Sequence, residues 1–196
     1  MTSRELVQNA SAYLSKVTCY LKGCWGQKLT QSVYQDKLRQ YPENTKYNNA
    51  KYVGTDAYPF DCICFIKSLI AGGTVNNRLN YTQLSAGPLG DCTNQKFYDS
   101  LYDCVPVQNA PAGYGLATTG HAALCLGNNQ WIDVNFSGNQ NGAGVHSGWS
   151  GTNFKCGKIP GITYEEPAPS PVPSDQKKIL TDFCSFLIDL YLSEVN

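Results

Sequence analysis

The chain alternates short apolar runs with long polar stretches rich in Gly, Asn and Tyr, and the spacing within each run sets the element it predicts. Leu6, Ala10, Tyr13 and Leu14 recur near helical spacing over residues 3–17 and predict a first helix ending before Gly23-Cys24-Trp25-Gly26. Residues 27–59, rich in Tyr, Asn, Gln and Pro, read as irregular. The strongest run is Phe60-Asp61-Cys62-Ile63-Cys64-Phe65-Ile66-Lys67-Ser68-Leu69-Ile70, where Asp61 is a natural N-cap and Gly72-Gly73 a stop. That reading puts Cys62 at a helix N-terminus, although a buried strand would show a similar run.

Residues 74–113 turn polar again, with a short helix predicted around Asn94 to Tyr102. Two apolar runs follow, His121 to Leu126 and Trp131 to Val134, separated by Gly127-Asn128-Asn129, the signature of a β-hairpin. A three-residue loop pairs Leu126 with Gln130, sets Asp133 opposite Ala123 and leaves it on the face of His121; a two-residue loop turns Asp133 to the other face. His146 falls in a Gly/Ser-rich stretch that reads as a mobile loop, and residues 157–164 read as a last strand.

Glu165-Glu166 and the Pro-rich run to Pro173 then predict a stiff, extended linker, so the main domain is assigned to residues 1–165 and the linker proper to 166–173. Over residues 174–196, Ile179, Leu180, Phe183, Phe186, Leu187, Leu190 and Tyr191 form one apolar stripe at helical spacing, with Ser174 as cap. Its polar face carries Asp175, Asp182, Asp189 and Glu194 against Lys177 and Lys178, which argues against an anionic-membrane anchor. Packing on its own domain and self-association through this helix both satisfy the stripe.

Composition narrows the function classes. Fifteen basic residues balance fifteen acidic ones, so no net field draws the chain to nucleic acid or to a membrane surface. Thirteen Tyr and eighteen Gly with few charges fit a loop-rich α+β domain whose neutral polar surface suits peptide or carbohydrate partners. The polar N-terminus has no signal-peptide core, so synthesis in the cytoplasm is expected. Nine cysteines in no regular framework read mostly as reduced thiols.

A thiol attacks as thiolate, and a helix N-terminus with a nearby imidazole lowers a cysteine pKa from ~8.5 toward roughly 3.5–7.5. Cys62 can have both influences. The free N–H groups of the helix start can also stabilise an oxyanion. Of the two histidines, His121 is the better base, and Asp133 can orient its ring. Taken singly, each has a blander reading: a core cysteine, a structural histidine, a solvated aspartate.

Together, FDCICFIKSLI, GHAALCLGNNQWID and TCYLKGCWGQ resemble the nucleophile segment, the Gly-His strand with its hairpin, and the Tyr/Gly-rich leading segment of the NlpC-type cell-wall cysteine peptidases. Block order and the closing Gly-Lys-Ile-Pro-Gly-Ile-Thr-Tyr segment resemble phage and prophage endolysins within that family. The likeness spans roughly residues 1–165 and implies a papain-like α+β fold, N-terminal helices on a central antiparallel sheet. It also implies that Cys62, His121 and Asp133 are nucleophile, base and orienting group, that Tyr20 borders the substrate cleft, and that Asp61 sits beside the substrate amine. The implied substrate is bacterial peptidoglycan, reached after release from the cell, with no metal or other cofactor. The bond implied is D-γ-glutamyl to diamino acid, or, as some phage relatives are described, the amidase bond at the sugar-peptide junction. Ile63-Cys64 replaces the family's Ser-Gly, Asp133 is an uncommon third residue, and Gly113 to Thr119 lacks the expected aromatic approach.

Two other classes compete. Cys62-x-Cys64 could ligate zinc with other thiols, but only Cys19 and Cys24 form another close pair. A catalytically silent binding protein on the same fold is the second, since fold does not guarantee turnover.

Overall fold

Helix α1 (Ser3–Ala12) starts where the sequence supplies a reciprocal cap: the Glu5 N–H donates to Thr2 Oγ1 and the Thr2 N–H to Glu5 Oε2. It buries Leu6 and Ala10 and tightens into a 3₁₀ turn over Tyr13–Ser15. The computed structural model describes residues 1–137, 140–148 and 153–165; the predicted linker and tail helix lie outside them. Met1–Tyr164 form one compact unit.

Strand β1 (Thr18–Tyr20) pairs in parallel with β2 (Tyr58–Phe60). Between them the chain is not simply irregular. Helix α2 (Gln31–Gln40) is capped by Thr30, and Val33, Tyr34 and Leu38 pack with Cys19, Leu21, Cys24 and Leu29. The pattern hides it because Tyr34 is its one buried residue, too narrow a stripe to reveal a helical period. Helix α3 (Cys62–Ile70) begins at Asp61 as predicted and is buried along nearly its whole length. Short helices α4 (Tyr81–Ser85) and α5 (Asn94–Ser100) follow.

The second half is a five-stranded antiparallel sheet, making the protein α+β. Its strands are β3 (Gly115–Ala117), β4 (Ala122–Gly127), β5 (Gln130–Ser137), β6 (Gln140–Ser147) and β7 (Lys155–Gly157), in spatial order β6-β5-β4-β3-β7. Alternation along the strands divides two cores. Ala122, Leu124, Ile132 and Val134 join Leu6, Phe65, Ile66 and Leu69 under helices α1 and α3; Leu116, Ala123, Cys125, Trp131 and Cys156 form a cluster on the other face.

Two strand expectations need correction. The last strand is Lys155–Gly157, earlier than 157–164: Pro160 has no N–H to donate, and the chain turns there before a single bridge from Thr163 to Thr2. His146 is not in a loop. It lies on β6, whose eight residues pair in unbroken register with β5, so tertiary pairing overrides the weak strand propensity of Gly and Ser.

Candidate functional site

Cys62 is the first residue of α3, and the preceding Asp61 sets its position. Asp61 Oδ1 accepts from the Cys64 N–H at 2.7 Å and Oδ2 from the Gly23 N–H at 2.8 Å, tying the helix start to the loop after β1. Burial pushes the Asp61 carboxyl above the usual range, against those two N–H bonds. The Cys62 and Ile63 N–H groups, in the first turn, have no carbonyl within the helix to bond. Cys62 is buried, and the side-chain amide of Asn94 stands 3.7 Å from its sulfur.

His121 immediately precedes β4. Its Nε2 is 2.8 Å from Asp133 Oδ2, leaving Nδ1 for the Cys62 thiol, with which the ring also interacts. Burial alone would lower the imidazole pKa, but hydrogen bonds to Asp133 and to Cys62 outweigh it and push His121 up to about 10.

The hairpin that brings Asp133 to His121 combines both loop geometries foreseen for it. Gly127 pairs with Gln130 across Asn128 and Asn129, both at positive φ, which is a two-residue turn. A bulge between Cys125 and Gly127 adds one residue, with Gly127 itself at φ +82°, so Cys125 faces Trp131 and Leu124 faces Ile132. That is the register of the longer loop, and it returns Asp133 to the face of His121.

Cys62, Asn94 and Tyr20 line one cleft of about 800 Å³. The Tyr20 backbone is clamped, its N–H to Asn141 Oδ1 at 2.7 Å and its carbonyl by Asn49 Nδ2 at 2.6 Å, and its ring meets Tyr47 edge-on. Trp25 and Tyr41 extend the aromatic lining. One wall is basic: Lys22 pairs with Glu43 at 2.6 Å, while Lys37 lies over Trp25 and Tyr41 and Lys46 over Tyr47. Buried Lys67 reaches the cleft from α3 to meet Asp91 at 3.0 Å.

The five residues singled out in the sequence thus divide. Cys62, His121 and Asp133 form one connected set; Tyr20 and Asp61 line the cleft beside the sulfur, with both Asp61 oxygens engaged by backbone N–H groups. Cys64 is driven in the opposite sense from a nucleophile, since burial and then the Asp61 charge hold its thiol well above the ordinary range. Two neighbours escaped the sequence reading. Asn94 carried only a helix-start signal through Thr93, which says nothing of its approach to Cys62. His146 lies 3.1 Å through Nε2 from Asp133 Oδ1, a meeting that depends on long-range strand pairing.

The eight described cysteines are all free thiols, and among the described residues no group of three or more His, Cys, Asp or Glu side chains is arranged to hold a metal ion. No described helix is long and apolar enough to cross a membrane. Comparison of the chain with protein-family models, curated proteins and solved structures finds no match.

Proposed function

We propose that this protein is a thiol hydrolase of the NlpC type, papain-like in fold, that cleaves the stem peptides of bacterial peptidoglycan. The observation that carries the reading is the relay from Asp133 through His121 to a thiol at the N-terminus of a buried helix. Neither a core cysteine nor a structural histidine requires that arrangement, whereas thiol-based acyl transfer uses it.

In the proposed reaction the Cys62 proton moves to His121 Nδ1, and Asp133 holds the resulting imidazolium. The thiolate attacks the scissile carbonyl carbon. Negative charge developing on the carbonyl oxygen is met by the Cys62 N–H, with the Asn94 side-chain amide, 3.7 Å from the sulfur, as the second donor. His121 then protonates the leaving amine as the C–N bond breaks, leaving a thioester on Cys62. Water, deprotonated by His121, attacks the thioester carbon, releases the carboxylate and returns the thiol.

The cleft supports a peptide substrate bearing carboxylates. Its aromatic floor offers flat faces to a backbone, and Lys37 and Lys46 supply positive charge on one wall. Stem peptides carry free carboxylates that these lysines can meet, and the bond proposed as cut, D-γ-glutamyl to diamino acid, is the one the family resemblance implies.

The test is turnover of purified peptidoglycan by the wild type and by Cys62→Ala, with product masses recorded. Soluble fragments with a newly freed diamino-acid amine, absent with Cys62→Ala, support the endopeptidase reading. Intact stem peptides released from the glycan would move it to an amidase. No fragments from several wall types would leave a silent binding protein as the better account.

A further inference from the structure

We propose that His146 is a positioning residue, which fixes the Asp133 carboxylate so that its other oxygen stays aimed at His121. The inference rests on the Cys62–His121 pair of the proposed function, but not on the identity of the substrate.

Asp133 is almost fully enclosed, so each oxygen needs a donor from the protein. Oδ2 meets His121. Oδ1 meets two groups, His146 Nε2 at 3.1 Å and Gln140 Nε2 at 3.4 Å. Both belong to β6, and the register explains how they arrive. His146 stands opposite Trp131, two residues before Asp133 on the same face, and its ring stacks on the indole at 5.6 Å and 20°. The stack fixes the imidazole plane and turns Nε2 along the sheet toward the carboxylate.

The residue directly across from Asp133 is Gly144. A Cβ there would lie 2.5 Å from Gln140 Nε2, so glycine leaves the space in which the Gln140 amide folds back over the sheet. That amide also donates to the Gly142 carbonyl at 2.9 Å, which holds it in place. Trp131, Gly144, Gln140 and His146 therefore build a cradle for one oxygen of one buried carboxylate. A carboxylate held at Oδ1 from two directions cannot swing about its last torsion, and the bond from Oδ2 to His121 keeps its geometry.

The readout is alkylation of Cys62 by iodoacetamide at pH 6, followed by peptide mass mapping on the full chain. An isolated thiol is almost wholly protonated at that pH, so fast labelling reports the thiolate paired with His121 and needs no substrate. His146→Phe, which keeps a ring for the Trp131 stack and removes the donor, should slow labelling by about 10- to 100-fold. His146→Gln, which restores a donor, should stay within about threefold of wild type. Gly144→Ala, which displaces Gln140 and leaves His146 in place, should slow labelling less than His146→Phe.

The signature that separates positioning from general support is non-additivity: His146→Phe should cost nothing further in an Asp133→Asn background. Wild-type labelling in a folded His146→Phe variant, or an additive loss in the double variant, overturns the proposal. Slow labelling of the wild type itself overturns it too, by removing the thiolate pair. Fast wild-type labelling without peptidoglycan turnover would count against the proposed substrate alone.

Discussion

His121 and Asp133 stand twelve residues apart, yet Nε2 and Oδ2 lie 2.8 Å from one another because one bulge at the hairpin tip restores the register that the two-residue turn would have lost. The bond does two things at once. It fixes the orientation of the ring, and it raises the basicity of the imidazole.

The pair gives a pH dependence with a definite sign. His121 is raised from an ordinary value near 6.5 to about 10, so its stabilising contribution is complete below about 6.5 and is lost as pH rises through about 10. Peptidoglycan turnover should hold on the alkaline side and fall through about pH 10. Asp133→Asn should move that fall toward neutral pH, and the melting temperatures of wild type and variant should converge above pH 10. An alkaline limb unchanged by Asp133→Asn would mean that Asp133 does not set the imidazole's basicity.

The two thiols at the start of α3 should behave oppositely. Cys62→Ala should cut turnover at least about 10³-fold, whereas Cys64→Ala should stay within about threefold because the Cys64 thiol is held protonated. Turnover rates with matched circular dichroism spectra check both.

Asn94 faces the sulfur with its amide, so Asn94→Ala should lower kcat by about 10²-fold with little change in KM, the pattern of a donor used in the transition state. An increase in KM alone would assign Asn94 to substrate binding.

The basic wall of the cleft should discriminate by charge. Lys37→Glu and Lys46→Glu together should raise KM about 3- to 10-fold for stem peptides with free carboxylates and much less for amidated ones, the difference shrinking as salt is added. Assays on the two peptide forms at low and high ionic strength measure it.

Asp61 should matter first as a cap. Asp61→Ala should cost about 0.5–2 kcal/mol from the lost N-cap alone, and more if the link to Gly23 loosens; Asp61→Ser keeps an acceptor for the Cys64 N–H and should recover part of it. Denaturant unfolding gives the stability. If Asp61→Ser regains stability while KM stays high, the carboxylate also contacts the substrate amine.

What the sequence by itself determined lies where local chemistry is decisive. An Asp before a long apolar run, closed by Gly-Gly, specifies the start and end of α3, because capping and burial are short-range demands; Gly127-Asn128-Asn129 specifies the hairpin because its residues tolerate positive φ. These two elements put Cys62 at a helix start and His121 and Asp133 at one hairpin, but left open which face Asp133 takes until the bulge fixed the register. Tertiary structure decided the rest. Helix α2 presents too narrow a stripe to announce itself, and β6, poor in strand formers, exists because β5 pairs with it. Asn94 meets Cys62 across 32 residues and His146 meets Asp133 across 13, through an indole stack and a missing side chain at Gly144. Such meetings depend on how elements pack and register over distance, and no local pattern of apolar and polar residues encodes them.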